Sequence, residues 1–536
     1  MPDVLFLELN SSYSHSMLSY GMLRAFTEQY APEWRWHKIE FTVKNADTAI
    51  FEDKISELKP EVICATVYLF NRVTVLNLLK SARRAAPRAR IVLGGPEFLG
   101  DNRQFLEHNP GINAVIRGDE SGFYRYLQHD EVVEGCFDGE LDELPSPHQR
   151  GYVDPSKPFW QIETSRGCPG RCRFCTSSLS RNVKFYSISR IRADLEALRG
   201  YGFQDIRVLD RTFNTNPKRA VELLKLFREE FPEMRFHLEI EPAGLTECFL
   251  SELAKAPKNK LHVEAGIQSL DPDVLQACRR FADSDKVLTG LRGLLKCGNF
   301  ELHVDLIAGL PEQTMKSLIE DVKTVIALCP QEIQLEKLKI LPGTPLCGCP
   351  DIKHNQEPPY EVISTASIKP AEMRDAMLLS LLLDNFYNAR QLHSAFIFGF
   401  KKHPELLHKL LNYLSEHESL FASGKPALES RFEIMRKLLP PDSPSSQVLR
   451  FAGLCAGIFS TGACRRLCHD SIPTEAELLW SKPVETEPKR FFKAEFSGNA
   501  GQCWLQPCQK WESGRYVYYF KLHYGRFPSE ILMFKQ

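Results

Sequence analysis

The sequence predicts an α/β protein in three parts, and three observations carry that reading. Over residues 1–130, short apolar runs alternate with amphipathic stretches. From Trp160 the alternation resumes in units of roughly 30 residues, a spacing that fits strand–helix pairs, with six strand candidates. After about residue 350 the periodicity becomes mainly helical. Strand–helix alternation implies parallel strands with helices packed on them.

Residues 1–130 are therefore expected to form a doubly wound, Rossmann-like domain. Val4–Leu9, Val62–Leu69, Arg90–Leu93 and Ala114–Ile116 read as strands. Met17–Tyr30 has Leu18, Met22, Leu23 and Phe26 at helical spacing, and Leu76–Ala86 also looks helical. Ligands of such sheets lie beyond the carboxyl ends of the strands. The residues there are Asn10-Ser11-Ser12, Thr66-Val67-Tyr68, Gly94-Gly95-Pro96 and Gly118-Asp119-Glu120. Residues 131–159 read as a linker, with acidic and proline-containing text from Asp138 onward.

Residues 160–350 are expected to form a partial (β/α)6, TIM-like barrel, with its site at the carboxyl ends of the strands. The strands should start near Gln161, Asp205, Arg235, Leu261, Glu301 and Glu332. Asn216-Pro217 marks a helix start, Asn as the cap and Pro in the first turn. Ser284 is expected to cap a later helix that ends near Gly298. Residues 351–536 read as a mostly helical α+β domain. Its helices are Ala371–Asn388 and Pro404–Leu414, and a hairpin is expected near Arg515–Leu522, where aromatic and polar residues alternate.

Composition narrows the function. A formal net charge of −1 gives no overall basic field to draw nucleic acid or an anionic membrane. No basic n-region and apolar h-region open the chain, and no run of about 18 apolar residues occurs. A cytoplasmic protein is expected. There are 16 cysteines, and a reducing compartment argues against a disulfide framework. Clustered cysteines then suggest ligands, whereas scattered ones such as Cys64, Cys136, Cys248 and Cys278 read as small buried residues. Cys347 and Cys349, Cys455, Cys464, Cys468 with His469, and Cys503 with Cys508 read as ordinary thiols, with an auxiliary cluster or zinc site as the alternative.

The decisive text is Arg166-Gly167-Cys168-Pro169-Gly170-Arg171-Cys172-Arg173-Phe174-Cys175. It follows the first barrel strand. Full ligation of a cubane cluster takes four thiolates, so three leave one iron open, as a catalytic metal requires. Arg166, Arg171 and Arg173 are expected to offset the charge of a thiolate-ligated cluster.

On these residues, the sequence resembles the radical S-adenosylmethionine superfamily over roughly residues 160–345. The resemblance implies a 4Fe–4S cluster on Cys168, Cys172 and Cys175 that cleaves S-adenosylmethionine, with Phe174 near the adenine. It places Asp210, Thr212 and Glu239 near the methionine ammonium, Arg280 on its carboxylate, and Gln268 and Asp305 on the ribose. Residues 1–130 resemble the cobalamin-binding domain fused in front of many such barrels, with Ser12, Thr66, Gly94, Gly95, Gly118 and Glu120 at the corrin. No D-x-H-x-x-G motif occurs there, so no lower axial histidine is expected, and His15 reads as a loop residue. The resemblance implies a cobalamin-dependent enzyme, with methyl transfer to an unactivated carbon as the expected reaction. Its partners would be a flavodoxin- or ferredoxin-type electron donor and a substrate the sequence does not reveal. A radical cyclase or rearrangement enzyme, or an iron–sulfur electron carrier or sensor, is the alternative.

Overall fold

The computed structural model describes residues 1–130, 132, 134–179, 182–280, 282–422, 424–458, 476–481, 490–522 and 527–535. They divide into two compact units. One joins Met1–Ser317 to Lys337–Pro370, and the other joins Leu318–Glu336 to Ala371–Gln536.

The first unit opens with a parallel sheet of Asp3–Asn10, Arg35–Thr42, Val62–Thr66, Arg90–Gly94 and Ala114–Val115, in the order second, first, third, fourth, fifth. The first strand is buried on both faces. Leu5, Leu7 and Leu9 pack into one core, Val4 and Phe6 into another. This two-sided burial is what a doubly wound sheet requires.

Sequence periodicity misses the edge strand Arg35–Thr42 and the helix Thr48–Leu58. The strand carries charges where a hydrophobic alternation would be sought. Lys38 Nζ lies 3.0 Å from the buried Glu8 and 3.2 Å from Glu40, so the charges are absorbed by pairing. The helix has a clear start, since Asp47 accepts from Ala49 N and Ile50 N.

The expected linker is folded. Gly135 N donates to Arg117 O at 2.7 Å, and Phe137 N to the Asp119 carboxylate at 2.6 Å. Farther on, Ser146 Oγ donates to the buried Asp194 at 2.6 Å.

The barrel strands Trp160–Ile162, Asp205–Val208, Arg235–Ile240, Leu261–Gln268 and Glu301–Ala308 lie side by side in chain order, all parallel. Period-two alternation is visible in Arg235–Ile240. Phe236, Leu238 and Ile240 are buried, while His237 and Glu239 point to the opposite side of the strand. Asn216 caps the helix Pro217–Glu230 by accepting from Arg219 N, as expected. The cap of the helix Ser284–Cys297 is Asp283, not Ser284. The Asp283 carboxylate accepts from Asp285 N and Lys286 N, and Ser284 is already helical.

The sixth expected strand forms at Glu332–Lys337. In the second unit its neighbours are fixed by Asn388, which donates to Ile333 O at 2.9 Å and accepts from Ile333 N at 3.0 Å. Among the described residues, the rest of this unit is mainly helical, with a four-stranded antiparallel sheet in the order Glu477–Ser481, Pro528–Lys535, Ser513–Leu522, Arg490–Gly498. The expected hairpin is thus part of a larger sheet. Tyr516, Val517, Tyr518, Tyr519 and Phe520 are all buried, because the strand is central and both its faces are covered. Phe451 packs on it, with ring centroids 4.9 Å from Tyr518 and 5.3 Å from Phe520. Cys464, Cys468 and His469 lie outside the described residues. Among the described residues, no helix is long and apolar enough to cross a membrane.

Candidate active site

The cysteine loop leaves the first barrel strand and is closed by a short antiparallel clasp of Ser165–Arg166 with Lys184–Phe185. Cys168, Cys172 and Cys175 are free. A Cβ on Gly170 would lie 3.3 Å from Cys168 Sγ and 3.9 Å from Cys172 Sγ. The two sulfurs therefore flank the same bare stretch of backbone. Thr212 Oγ1 is 3.7 Å from Cys168 Sγ, and Arg280 Nη1 is 3.8 Å from Cys172 Sγ. Burial pushes the Cys172 thiol up, and so do the two other cysteines, while Arg280 pulls it down. Among the described residues, no trio of His, Cys, Asp or Glu is set to hold a single metal ion. A cubane has no such requirement, since each thiolate takes a different iron. Free thiols facing one space, with a guanidinium beside them, fit that group.

Asp210 departs from its expected role. Its carboxylate accepts from Thr164 N at 2.7 Å, Ser165 N at 2.9 Å, Thr164 Oγ1 at 2.5 Å and Ser165 Oγ at 2.8 Å. A carboxylate so engaged fixes the entry to the cysteine loop and has little left for a ligand. Arg166 also departs from expectation. It is bound by Glu120 and Glu163, so its charge is already answered without the cluster. Arg173 Nη1 donates to Ala277 O at 3.1 Å. Arg171 is exposed. Phe174 is half-buried beside Cys175.

The other predicted barrel residues converge. A bulge at Gly266–Gln268 shifts the register with the next strand, which pairs Gly266 with Asp305. Gln268 takes φ +68, and its side chain folds back, with Nε2 2.5 Å from where a Gly266 Cβ would sit. The same point is 4.0 Å from Asp305 Oδ2. Arg280 Nη2 donates to Gly266 O and, at 2.5 Å, to Glu241. The buried Arg280 Nε has no hydrogen-bond partner among the described residues. An unused buried guanidinium N–H suits a carboxylate ligand.

Sequence reasoning did not single out Glu264, His303 or Glu241. His303 Nε2 is 3.0 Å from Asp305. Burial and the adjacent Asp305 push Glu264 up to about 8, so it holds its proton at neutral pH. Burial also raises Glu239, against the pull of Arg211. Period-two spacing was the signal for Glu264. It lies two residues before Gly266, on the same strand face.

A cavity of about 1120 Å³ lies between the front sheet and the cysteine loop. Thr66, Tyr68, Gly94, Gly95, Gly118 and Glu120 line it on one side, and Glu163, Arg166, Thr176, Leu179, Asn182 and Lys184 on the other. Thr66 Oγ1 donates to Ser19 Oγ at 2.9 Å. Ser12 is not part of the lining. It is exposed and held in a turn by Ser14 and by His15, whose Nδ1 is 2.8 Å from Ser12 Oγ. His15 packs edge-on against Phe159.

Residues 162–325 match the radical SAM superfamily, and residues 18–125 match the B12 binding domain. The chain carries a radical SAM domain with a B12-binding domain in front. The radical SAM match spans the cysteine loop and Arg280, and the B12-binding match spans Thr66, Gly94, Gly95, Gly118 and Glu120.

Similar proteins match over part of the chain. An uncharacterized methyltransferase of Pyrococcus horikoshii is 24% identical over 54% of this chain and 70% of its own. The cobalamin-dependent radical SAM methyltransferase TokK of Streptomyces tokunonensis is 24% identical over 64% of this chain and 56% of its own. The hopanoid C-3 methylase of Methylococcus capsulatus is 28% identical over 48% and 55%. The chain thus spans little more than half the length of the last two. Among solved structures, the cobalamin-dependent S-adenosylmethionine radical enzyme OxsB superposes with a TM-score of 0.59 at 14% identity, over 82% of this chain and 79% of that one. The radical S-adenosylmethionine methyltransferase TsrM of Kitasatospora setae superposes with a TM-score of 0.54 at 16% identity, over 70% and 80%. These superpositions support the fold: a Rossmann-like domain followed by a TIM-like core.

Proposed function

We propose that this protein is a cobalamin-dependent radical S-adenosylmethionine methyltransferase acting on an unactivated carbon. One observation carries the reading. The loop that bears Cys168, Cys172 and Cys175 also supplies Thr176, Leu179, Asn182 and Lys184 to the wall of the front-domain cavity. A cluster site and a corrin site would then share one wall.

When bound, the cluster supplies an electron for splitting S-adenosylmethionine and the corrin supplies a methyl carrier. The residues of the chain bind and orient. Cys168, Cys172 and Cys175 would hold the cluster. Arg280 would take the methionine carboxylate through its unused Nε, and Glu239 the ammonium. Gln268 and Asp305 would meet the ribose, with Phe174 at the adenine. Thr66, Gly94, Gly95 and Gly118 would let the corrin approach the sheet ends. Glu264 keeps a proton between itself and Asp305 and so limits the negative charge facing the ribose. The electron would come from a flavodoxin- or ferredoxin-type donor, and the free thiols suit a cytoplasmic location.

The test is anaerobic. Reconstituted protein is given S-adenosylmethionine, a reductant and candidate substrates, with and without cobalamin. The reading expects 5′-deoxyadenosine from the wild type and none from Cys172→Ala, and S-adenosylhomocysteine only when cobalamin is present. S-adenosylhomocysteine formed equally well without cobalamin would sink it.

A further inference from the structure

Three segments far apart in the chain bring two thiols and an amine together in the second unit. Cys329 ends the helix Met315–Leu328 in a left-handed conformation, with φ +63, just before Pro330. Cys508 follows the short helix Ala500–Leu505. Their sulfurs are 3.7 Å apart, across 179 positions of sequence. Lys401, near the end of the helix His393–Lys402, places Nζ 2.8 Å from Cys508 Sγ. Nothing in the proposed reaction uses these groups.

Burial works against the Lys401 charge, but both sulfurs outweigh it and hold the ammonium above its usual value. The ammonium stands 2.8 Å from the sulfur that is open to solvent. The two sulfurs differ in access. Cys508 is exposed and Cys329 half-buried. Burial pushes the Cys329 thiol up to about 11, with Lys401 pulling against it.

We propose that Cys329 and Cys508 form an oxidative modification site for small-molecule disulfides, with Cys508 as the attacking thiol, Cys329 as the resolving thiol and Lys401 as a positioning residue. The Cys508 thiolate attacks one sulfur of the disulfide R–S–S–R. The S–S bond breaks, and the other R–S group leaves as a thiolate and takes up the proton released by Cys508. Cys329 then gives its proton to the second leaving thiolate as its sulfur attacks the mixed disulfide. The chain is oxidised by two electrons, and R–S–S–R is reduced to two R–SH. The Cys329 and Cys508 sulfurs close from 3.7 Å to about 2.05 Å, the length of an S–S bond. The product ties the segment before Glu332–Lys337 to the loop before Ser513–Leu522.

The test uses the full chain with its cluster reconstituted, so that the ligand thiols are occupied. Oxidised glutathione is added anaerobically, and samples are alkylated and digested at intervals. The amount of Cys329–Cys508 linked peptide is then measured by mass spectrometry. Wild type and Lys401→Arg should form it at similar rates. Lys401→Met should form it more slowly, because the ammonium 2.8 Å from the attacking sulfur is lost. Cys329→Ser should stop at a glutathione adduct on Cys508. Absence of the linked peptide in the wild type would overturn the proposal. So would an unchanged rate in Lys401→Met, or glutathione appearing first on Cys329.

Discussion

Arg166 grips Glu120 with both terminal nitrogens, Nη1 at 3.0 Å and Nη2 at 2.9 Å from the two carboxylate oxygens. This fork joins the cysteine loop to the first helix turn after Gly118, across the wall of the cavity. Burial raises the Glu120 carboxyl, but Arg166 outweighs it and holds the group below its usual value. Glu120→Ala should cost about 1–3 kcal/mol, because Arg166 loses its two-pronged partner but keeps Glu163, read as a lower melting temperature. The sign with pH follows. The folded value is depressed, so the contribution is complete above the ordinary carboxyl value and is lost as pH falls through the folded one. Acid unfolding of Glu120→Ala should therefore begin from a lower plateau and fall less than that of the wild type.

Asp210 supports the cysteine loop from below. Asp210→Asn puts an amide where at least one of four donors expects an acceptor. Buried donors left unpaired cost about 1–3 kcal/mol each. The expected outcome is a loop that holds its cluster poorly. Iron and sulfide per chain after reconstitution should drop well below wild type, while far-ultraviolet circular dichroism is unchanged. Full iron content in Asp210→Asn would refute this role.

Glu264 keeps its proton in the folded state up to about pH 8. The unfolded chain releases it near the ordinary carboxyl value, so between the two the folded state binds more protons and stability falls as pH rises. Glu264→Gln retains a donor toward Asp305 and has no proton to lose. The difference in melting temperature between pH 5.5 and pH 8 should shrink, by about 2–4 °C per kcal/mol relieved. An unchanged difference would show that Glu264 is not the group responsible.

Gly95 sits at φ +106, and a Cβ there would lie 2.6 Å from Val67 O and 2.9 Å from Thr66 Cγ2. Both neighbours belong to the cavity side of the sheet end, so Gly95→Ala must move the wall. Cobalamin affinity, followed by the visible corrin spectrum, should weaken at least tenfold, equivalent to about 1.4 kcal/mol. Equal affinity would place the corrin elsewhere.

Much of the fold was legible because burial leaves period-two and helical patterns. Five strands of the first unit's barrel begin where alternation starts, and Asn216-Pro217 begins its helix. What was not legible depends on distant partners. Arg35–Thr42 is a strand whose charges are paired across the sheet with Glu8, which local pattern cannot show. Asp283 and Ser284 are both good caps, and only backbone geometry chooses between them. In the site, Cys168, Cys172, Cys175, Gln268, Arg280 and Asp305 were named from their text. The partners of Asp210, and Glu120 among the two partners of Arg166, stand 45 or 46 residues away in the chain, out of reach of local text. Ser12 was misread because a polar residue after a strand can face a cavity or merely make a turn.

Gly118 and Gly135 meet so closely that a Cβ on either would strike the other's neighbourhood, and Gly135 hydrogen-bonds back to Arg117 and Asp119. Proteases open a chain where the backbone is exposed and unpaired. Around Gly135 the backbone is spoken for by the front domain. Limited digestion should spare the peptide bonds at Gly135. A truncation ending at residue 130 would remove the strand-like partner of Gly118 and yield a frayed product, so a stable excised front domain has to extend through Phe137.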